Sequence, residues 1–350
     1  MRAYVGSYSV PSEWTGTPYG HGDGIVELRL DAEGKVASRI VASETNPSFT
    51  VLEPRTSRLW AITEPEFGGE LLCFDIADDG ALALVDGGRV VTGSDAPCHL
   101  ALGPDYALVS HYHGAAVAVI GRRPDGRPDA LLETVRLPER GEGWDRAEEQ
   151  SRPHCALVLP GGELFLVTDC GRHTLSLFGW DAASRSVRRL DTAVLPEGSG
   201  PRHLALIPGV DRVLVSLQNS GGVAVVDVVE SAGSAQLEIV QHVPCAGLGR
   251  GPAIPSEIAV HPGGGIAVMA NRLDDSLTVF GIDEHGRVSE GESVDSTGKN
   301  PRFFAFTPEG DRLAVAHQES DELTVFRVVG EHLEFERSVP VSTPTSVSFA

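Results

Sequence analysis

The chain has 350 residues with 40 Gly and 23 Pro, so 63 of 350 positions are backbone punctuators, too few for a collagen or low-complexity protein and too many for a helical bundle. Hydrophobic residues make up 41% and charged residues 22%, which supplies a large core and excludes global disorder. The balance of 28 basic against 49 acidic side chains gives a formal charge of −21; such a surface repels phosphate backbones and anionic lipid, so neither nucleic acid nor membrane is expected as a partner.

In chain order, the first predicted strand is Tyr4 to Tyr8, followed by an irregular stretch from Val10 to Asp23 with Trp14, Tyr19 and His21, and by a second strand from Gly24 to Leu30. A repeating unit then begins: a proline, an apolar strand, a Pro/Gly/Asp turn, and a second apolar strand with a polar end. The first copy runs from Asn46-Pro47-Ser48-Phe49 to Leu59-Trp60-Ala61-Ile62-Thr63-Glu64 and Leu71 to Asp75. The second opens at Pro97-Cys98-His99-Leu100, continues through Tyr106 to His113 and Ala115 to Ile120, and is followed by a longer interval from Pro124 to Arg152 that carries the charged run Glu139 to Glu149. Further copies open at Pro153-His154, Pro201-Arg202-His203, Pro255-Ser256-Glu257 and Pro301-Arg302-Phe303, and a half-copy, Pro344 to Phe349, ends the series.

These strands are short, rich in Val, Leu, Ile, Phe and Thr, and bounded by turn signals such as Pro308-Glu309-Gly310-Asp311, so each unit reads as an antiparallel sheet. Seven openings about 50 residues apart predict an all-β, seven-bladed β-propeller over residues 1–350, a single domain. The final half-copy lacks outer strands; Tyr4 to Tyr8 and Gly24 to Leu30 supply them, closing the ring and leaving no open edge. Two packed β-sandwiches would also show short strands with turns, but not seven matched anchors.

No signal-peptide pattern opens the sequence and no stretch approaches 18 uninterrupted apolar residues, so a cytoplasmic protein is expected, a monomer or weak homo-oligomer. Cys73, Cys98, Cys155, Cys170 and Cys245 form no C-x-x-C pair and read as buried reduced thiols. No Gly-x-Ser-x-Gly elbow occurs, and Gly263-Gly264-Gly265 is a hairpin turn and not a dinucleotide fingerprint, so no cofactor is expected. His111-x-His113 is a weak metal candidate, because alternate residues of a strand face opposite sides.

In a propeller the first strand of each blade lines the central channel. This places Ser48, Cys98, His154, Arg202, Ser256 and Arg302 around one axis, with His99, His203 and Glu257 as neighbours. A second ring is expected from the polar ends of the following strands: Glu64, His111 and His113, Asp169, Gln218, Asn271 and Arg272, His317 and Gln318. Three arginines near one axis of an acidic chain make a local anion site, since the guanidinium fork pairs with carboxylate or phosphate; the alternative is that they pair with carboxylates of neighbouring blades, such as Glu257 or Asp169, and lock the ring. His154 and His203 are candidate general bases.

The strings Tyr4-Val5-Gly6-Ser7-Tyr8, Asn46-Pro47-Ser48-Phe49, Gln150-x-x-Pro153-His154, Asp169-x-Gly171, Gly198-Ser199-Gly200-Pro201-Arg202-His203, Glu257-Ile258, Asn271-Arg272 and Asn300-Pro301-Arg302-x-Phe304 together resemble the lactonase family of seven-bladed propellers, which includes bacterial 6-phosphogluconolactonases and fungal carboxymuconate lactonizing enzymes. The resemblance implies a small anionic lactone, or the open acid that forms one, in the channel mouth. It implies catalytic roles for His154, Arg202 and Arg272, and places Gln218 where lactonizing members carry a Glu; Ala156 stands where a second His is often found. Hydrolysis of the lactone is expected, with His154 activating water, Asp169 or Gln218 orienting it, Arg202 and Arg272 holding the anion, and His203, Arg302, Asp169, Glu257, Glu64 and His111 binding substrate around them. A cycloisomerase acting on an unsaturated diacid, or a non-catalytic binding propeller, are the alternatives.

Overall fold

The computed structural model describes residues 1–11, 20–30, 35–53, 55–65, 67–137, 150–231, 234–245 and 247–350. Trp14, Tyr19 and the run Glu139 to Glu149 lie outside the described residues. Regular structure among those described is entirely β, in seven antiparallel sheets of four strands. The innermost strands of blades 1 to 6 are Phe49–Glu53, Pro97–Leu102, Pro153–Val158, Pro201–Leu206, Pro255–Val260 and Pro301–Phe306, and each blade is completed by the three strands that follow it in sequence. Blade 7 takes its innermost strand from Pro344–Phe349 and its outer three from Arg2–Ser7, Ile25–Leu30 and Val36–Ala42. Val5 pairs with Val347 and Tyr4 with Ser348 across that join, so the ring closes through backbone hydrogen bonds between the two ends of the chain.

The interval from Pro124 to Arg152 differs from expectation in one respect: Pro128–Val135 is the fourth strand of blade 2. Most of its side chains are exposed or half-buried, so it lacks the apolar run that marks a strand in sequence. The inner three strands of each blade are apolar for the opposite reason, being covered on both faces by neighbouring blades. Seven apolar clusters fill the seven interfaces between adjacent blades. Buried rings with polar handles span those interfaces: Tyr4 Oη donates to the Gly80 carbonyl at 3.1 Å, and Tyr106 Oη to that of Gly162 at 2.9 Å. Trp180 Nε1 donates to Asp105 at 2.9 Å. Each burial therefore satisfies the ring's polar atom as well as its apolar body.

One backbone device repeats in all seven blades and positions everything at that end of the axis. The residue after the second strand donates its N–H to the carbonyl of the residue preceding the blade-opening proline: Tyr8 to Thr343, Glu64 to Asn46, Tyr112 to Ala96, Cys170 to Arg152, Gln218 to Gly200, Arg272 to Ile254 and Gln318 to Asn300. Several of these acceptors, Asn46 and Gly200 among them, adopt positive φ, a conformation that Asn and Gly enter at low cost. The proline itself has no N–H to leave unpaired at the start of its strand.

Candidate active site

Two tiers of side chains follow from this device. Directly after the prolines, blades 2 to 6 show a register shift at the start of the inner strand, as between Pro153 and Ala156 or Pro201 and Leu204. A bulge turns two consecutive residues toward the same region, and the ring contacts bear this out: His154 and His203, one and two positions past their prolines, lie 5.0 Å apart at their centroids. His203 also contacts His99 at 5.3 Å, while Phe49 contacts His99 at 4.5 Å and Phe303 at 5.3 Å. These rings plug the channel. On their far side lies a cavity of about 450 Å³ with mostly apolar walls that include Phe49, His99, Phe303, Leu100 and Val347; His203, Arg202 and His154 do not line it.

On the near side of the plug stands a seven-membered ring made of the residues that end the backbone device: Tyr8, Glu64, Tyr112, Cys170, Gln218, Arg272 and Gln318. Arg202 and Arg302 rise to meet it from the inner strands. Arg302 Nη2 donates to Tyr8 Oη at 2.6 Å, Tyr8 Oη donates to Glu64 Oε2 at 3.1 Å, and the Arg302 guanidinium lies over the Tyr8 ring. Arg272 Nη2 donates to Gln218 Oε1 at 2.8 Å. Tyr112 accepts from Arg152 Nη1 at 3.2 Å and packs edge-on against His154.

The arginines decide the electrostatics. Among the described residues none of Arg202, Arg272 and Arg302 forms an ion pair within 4.0 Å, so the interblade locks anticipated with Glu257 or Asp169 are not what holds them. Arg202 is 2% exposed, and its Nε and Nη1 have no hydrogen-bond partner; nor has Arg272 Nε. Burial lowers the pKa of Arg202 to about 10 and that of Arg272 to about 9, and repulsion among the three guanidinium groups adds to the effect. Burial would lower Arg302 as well, but Tyr8 and Glu64 outweigh it and hold it up. Guanidinium groups stay charged at neutral pH even so. Burial likewise raises Glu64 against the pull of Arg302, and raises Glu257 to about 8 against Arg202. His154 is held well below the ordinary imidazole value, first by burial and then by Arg202; it is a neutral imidazole whose buried Nδ1 has no partner.

Four residues expected in the second ring are engaged elsewhere. Asp169 accepts Ser151 Oγ at 2.6 Å and the N–H groups of Arg152, Gly171 and Arg172, so its carboxylate clamps a turn. His111 Nε2 bonds Thr92, just past the outer strand of blade 1, at 2.8 Å, and burial lowers its pKa to about 4. Asn271 and His317 are spent within their blades. The reason is strand alternation: the last residue of the second strand turns back into its blade, and the next one faces the axis. Tyr112 and Cys170 were missed for that reason, although a count would have found Cys170. Seventeen residues separate Pro47 from Glu64, Pro153 from Cys170, Pro201 from Gln218, Pro255 from Arg272 and Pro301 from Gln318. Among the described residues no group of three or more His, Cys, Asp or Glu could hold a metal ion.

The family described as lactonase, 7-bladed beta-propeller, matches residues 2–349. The chain belongs to this family. Among relatives, an uncharacterised protein of Lactococcus lactis is 27% identical over 311 residues, and a 6-phosphogluconolactonase of Klebsiella pneumoniae is 25% identical over 307 residues; the matches cover 87% and 86% of this chain, and 87% of each relative. A solved structure of the periplasmic gluconolactonase of Pseudomonas aeruginosa superposes with a TM-score of 0.84 at 24% identity, covering 99% of this chain and 98% of that one, a likeness that shows the shared fold. Lactonase-family membership makes a hydrolase the coarse expectation for this chain. No helix among the described residues is long and apolar enough to cross a membrane.

Proposed function

We propose that this lactonase-family chain hydrolyses a small anionic lactone, of the sugar-acid type that the gluconolactonase relatives' names indicate, at the end of the channel bounded by the seven-membered ring. The observation that carries the reading is the set of three guanidinium groups, Arg202 buried and Arg272 and Arg302 half-buried, with no ion pair among the described residues, two of them with unpartnered N–H groups. Buried charge without a counter-ion is unfavourable unless a ligand supplies one, and the carboxylates that act on these arginines, Glu64 and Glu257, are both pushed toward their neutral acids by burial.

In this reading Arg202 and Arg272 hold the anionic group and stabilise the oxyanion that forms as water adds to the lactone carbonyl, an effect worth about 2.7–4 kcal/mol per donor. His154, neutral and carrying a free ring nitrogen, accepts the proton of the attacking water. His154 returns that proton to the ring oxygen as the C–O bond breaks, so the oxygen departs as a hydroxyl and the product is the open hydroxy acid. Gln218 cannot take a proton; it fixes the Arg272 guanidinium. Arg302, Tyr8 and Glu64 form one wall of the site and His203 with Glu257 its floor.

The test is a panel of phosphorylated and plain sugar lactones followed by proton release, run on the wild type and on Arg272→Ala. At least one lactone is turned over, and the variant loses more than about 100-fold in kcat with an unchanged melting temperature. Full activity in Arg272→Ala overturns the assignment, as does loss of an unsaturated diacid's ultraviolet absorption without net water uptake, which would identify a cycloisomerase.

A further inference from the structure

The floor of the site contains a buried pair that the mechanism above does not use. His203 Nδ1 and Glu257 Oε2 are 2.8 Å apart, with both side chains almost wholly buried. The other carboxyl oxygen, Glu257 Oε1, accepts the backbone N–H of Ile258 at 3.1 Å. That bond matters because it fixes the two oxygens in different roles: Oε1 is the acceptor, so when the acid is protonated its proton sits on Oε2, facing the imidazole. A carboxylic acid donating to Nδ1 obliges a neutral imidazole to carry its own hydrogen on Nε2. His203 Nε2 makes no hydrogen bond among the described residues and is not among the buried unpartnered atoms, so protein does not seal it off. His203 also takes no part in the walls of the cavity beyond the plug. Its open nitrogen therefore belongs to the side where Arg202 and Arg272 lie.

We propose that Glu257 is a positioning residue: held as the neutral acid, it makes His203 an N–H donor that joins Arg202 and Arg272 in binding the anion. The proposal rests on the anion-site reading above and assigns His203 as a donor where the sequence suggested a base. The alternative state of the pair is an ionised carboxylate accepting Nδ1–H. In that state Nε2 presents a lone pair, and a negative charge lies under the anion, so both changes oppose binding.

The groups facing the pair account for which state prevails. Arg202 from its own strand, Arg302 from blade 6 and Arg272 beside blade 5 keep His203 from becoming a cation, acting after burial itself. His154 and Cys155 from blade 3 and His99 from blade 2 pack against the pair as neutral groups. Burial raises Glu257 to about 8, with Arg202 and the Ile258 N–H opposing, so the neutral acid dominates below that pH and the donor is lost above it.

Inorganic sulfate is the probe, because its charge does not change across the range. Calorimetric Kd values are measured at pH 7 and pH 9 and constant ionic strength on the wild type and on Glu257→Gln. The Gln side chain keeps its carbonyl oxygen toward Ile258 and donates its NH₂ to Nδ1, imitating the protonated acid without titrating. Wild-type affinity falls about tenfold between pH 7 and pH 9, the factor for losing one required proton with a pKa near 8, whereas Glu257→Gln stays within about twofold. A flat wild-type profile, or an equal fall in Glu257→Gln, overturns the proposal. Should the variant not fold, ¹⁵N-histidine spectra of the wild type at pH 7 decide instead: the hydrogen of His203 resides on Nε2, and finding it on Nδ1 refutes the assignment. Sulfate binding with this profile but no lactone turnover would leave Glu257 in its role and remove the hydrolase reading, so the two failures are distinguishable.

Discussion

Replacing Gln218 by Glu tests the charge balance of the site from both sides. Gln218 Oε1 accepts from Arg272 Nη2 at 2.8 Å, so Glu would present a carboxylate oxygen to the same N–H. A charge-assisted bond is roughly twice as strong as a neutral one, a gain of about 1 kcal/mol in stability. With an unfolding entropy of about 2.1 cal/mol/K per residue over 350 residues, this raises the melting temperature by about 1.5 °C. The same carboxylate would repel an anion bound between Arg202 and Arg272, and a separation of about 6 Å sets the scale. At an effective dielectric of about 20 it repels each ligand charge by about 2.8 kcal/mol, or roughly 100-fold in Kd. Thermal unfolding in sulfate-free buffer and sulfate calorimetry at low, constant ionic strength measure the two effects. The result is a variant that melts higher and binds anions more weakly. A variant that melts lower, or that binds sulfate within about threefold of the wild type, would show that Arg272 is not short of a counter-charge.

Two further outcomes follow from the same electrostatics. Arg202→Met fills nearly the same volume without the charge, and is expected to lower kcat/KM by about 100- to 1000-fold while the melting temperature holds or rises; a fall of several degrees with anion binding intact would contradict the account of Arg202 as an unpaired charge. His111 and His317 are held neutral down to about pH 4 by burial, whereas in the unfolded chain they take up a proton near pH 6.5. The unfolded state therefore binds more protons between those values, and stability falls with falling pH across that window by up to about 1.4 kcal/mol per pH unit for each histidine. Urea titrations at pH 7, 5.5 and 4.5 on the wild type and on His111→Gln check this: the variant loses stability less steeply, and parallel slopes would refute it.

The blades were legible because their punctuation is chemical. Each opening proline starts an inner strand, and its spacing from the next repeats closely enough to count. His154, Arg202 and Arg302 could be picked out for the same reason, since each adjoins one of those prolines, whereas Cys98 and Ser256, which also adjoin them, donate to carbonyls of the next blade. The second tier was read away from the ring residue at blades 2 and 3, and at blades 5 and 6 the ring residue was read together with its inward-turned neighbour. Asp169, His111, Asn271 and His317 are polar, which in sequence looks like exposure to a channel, yet each is hydrogen-bonded by a neighbour in its own or the adjoining blade. Hydrophobicity cannot distinguish a polar side chain turned inward and paired from one turned toward open space; the hydrogen-bonded position relative to the proline can. Cys170 and Tyr112 carried no signal by residue type, and Tyr8 was hidden by the closure of the ring, because its blade opens 336 residues later in the sequence, at Pro344.

That closure has a consequence for biosynthesis. The hydrogen bond from Arg302 to Tyr8 spans the seam between blade 6 and the blade completed by Pro344–Phe349, and the Tyr8 N–H depends on the Thr343 carbonyl. A nascent chain emerging from the ribosome can stack six blades in order, but the arginine wall stays incomplete until the last strand is made and captures one synthesised at the outset. Such a docking step between distant segments is slow compared with local hairpin formation. Anion binding therefore reports on the finished ring, and in refolding experiments its return should trail the recovery of β-sheet signal.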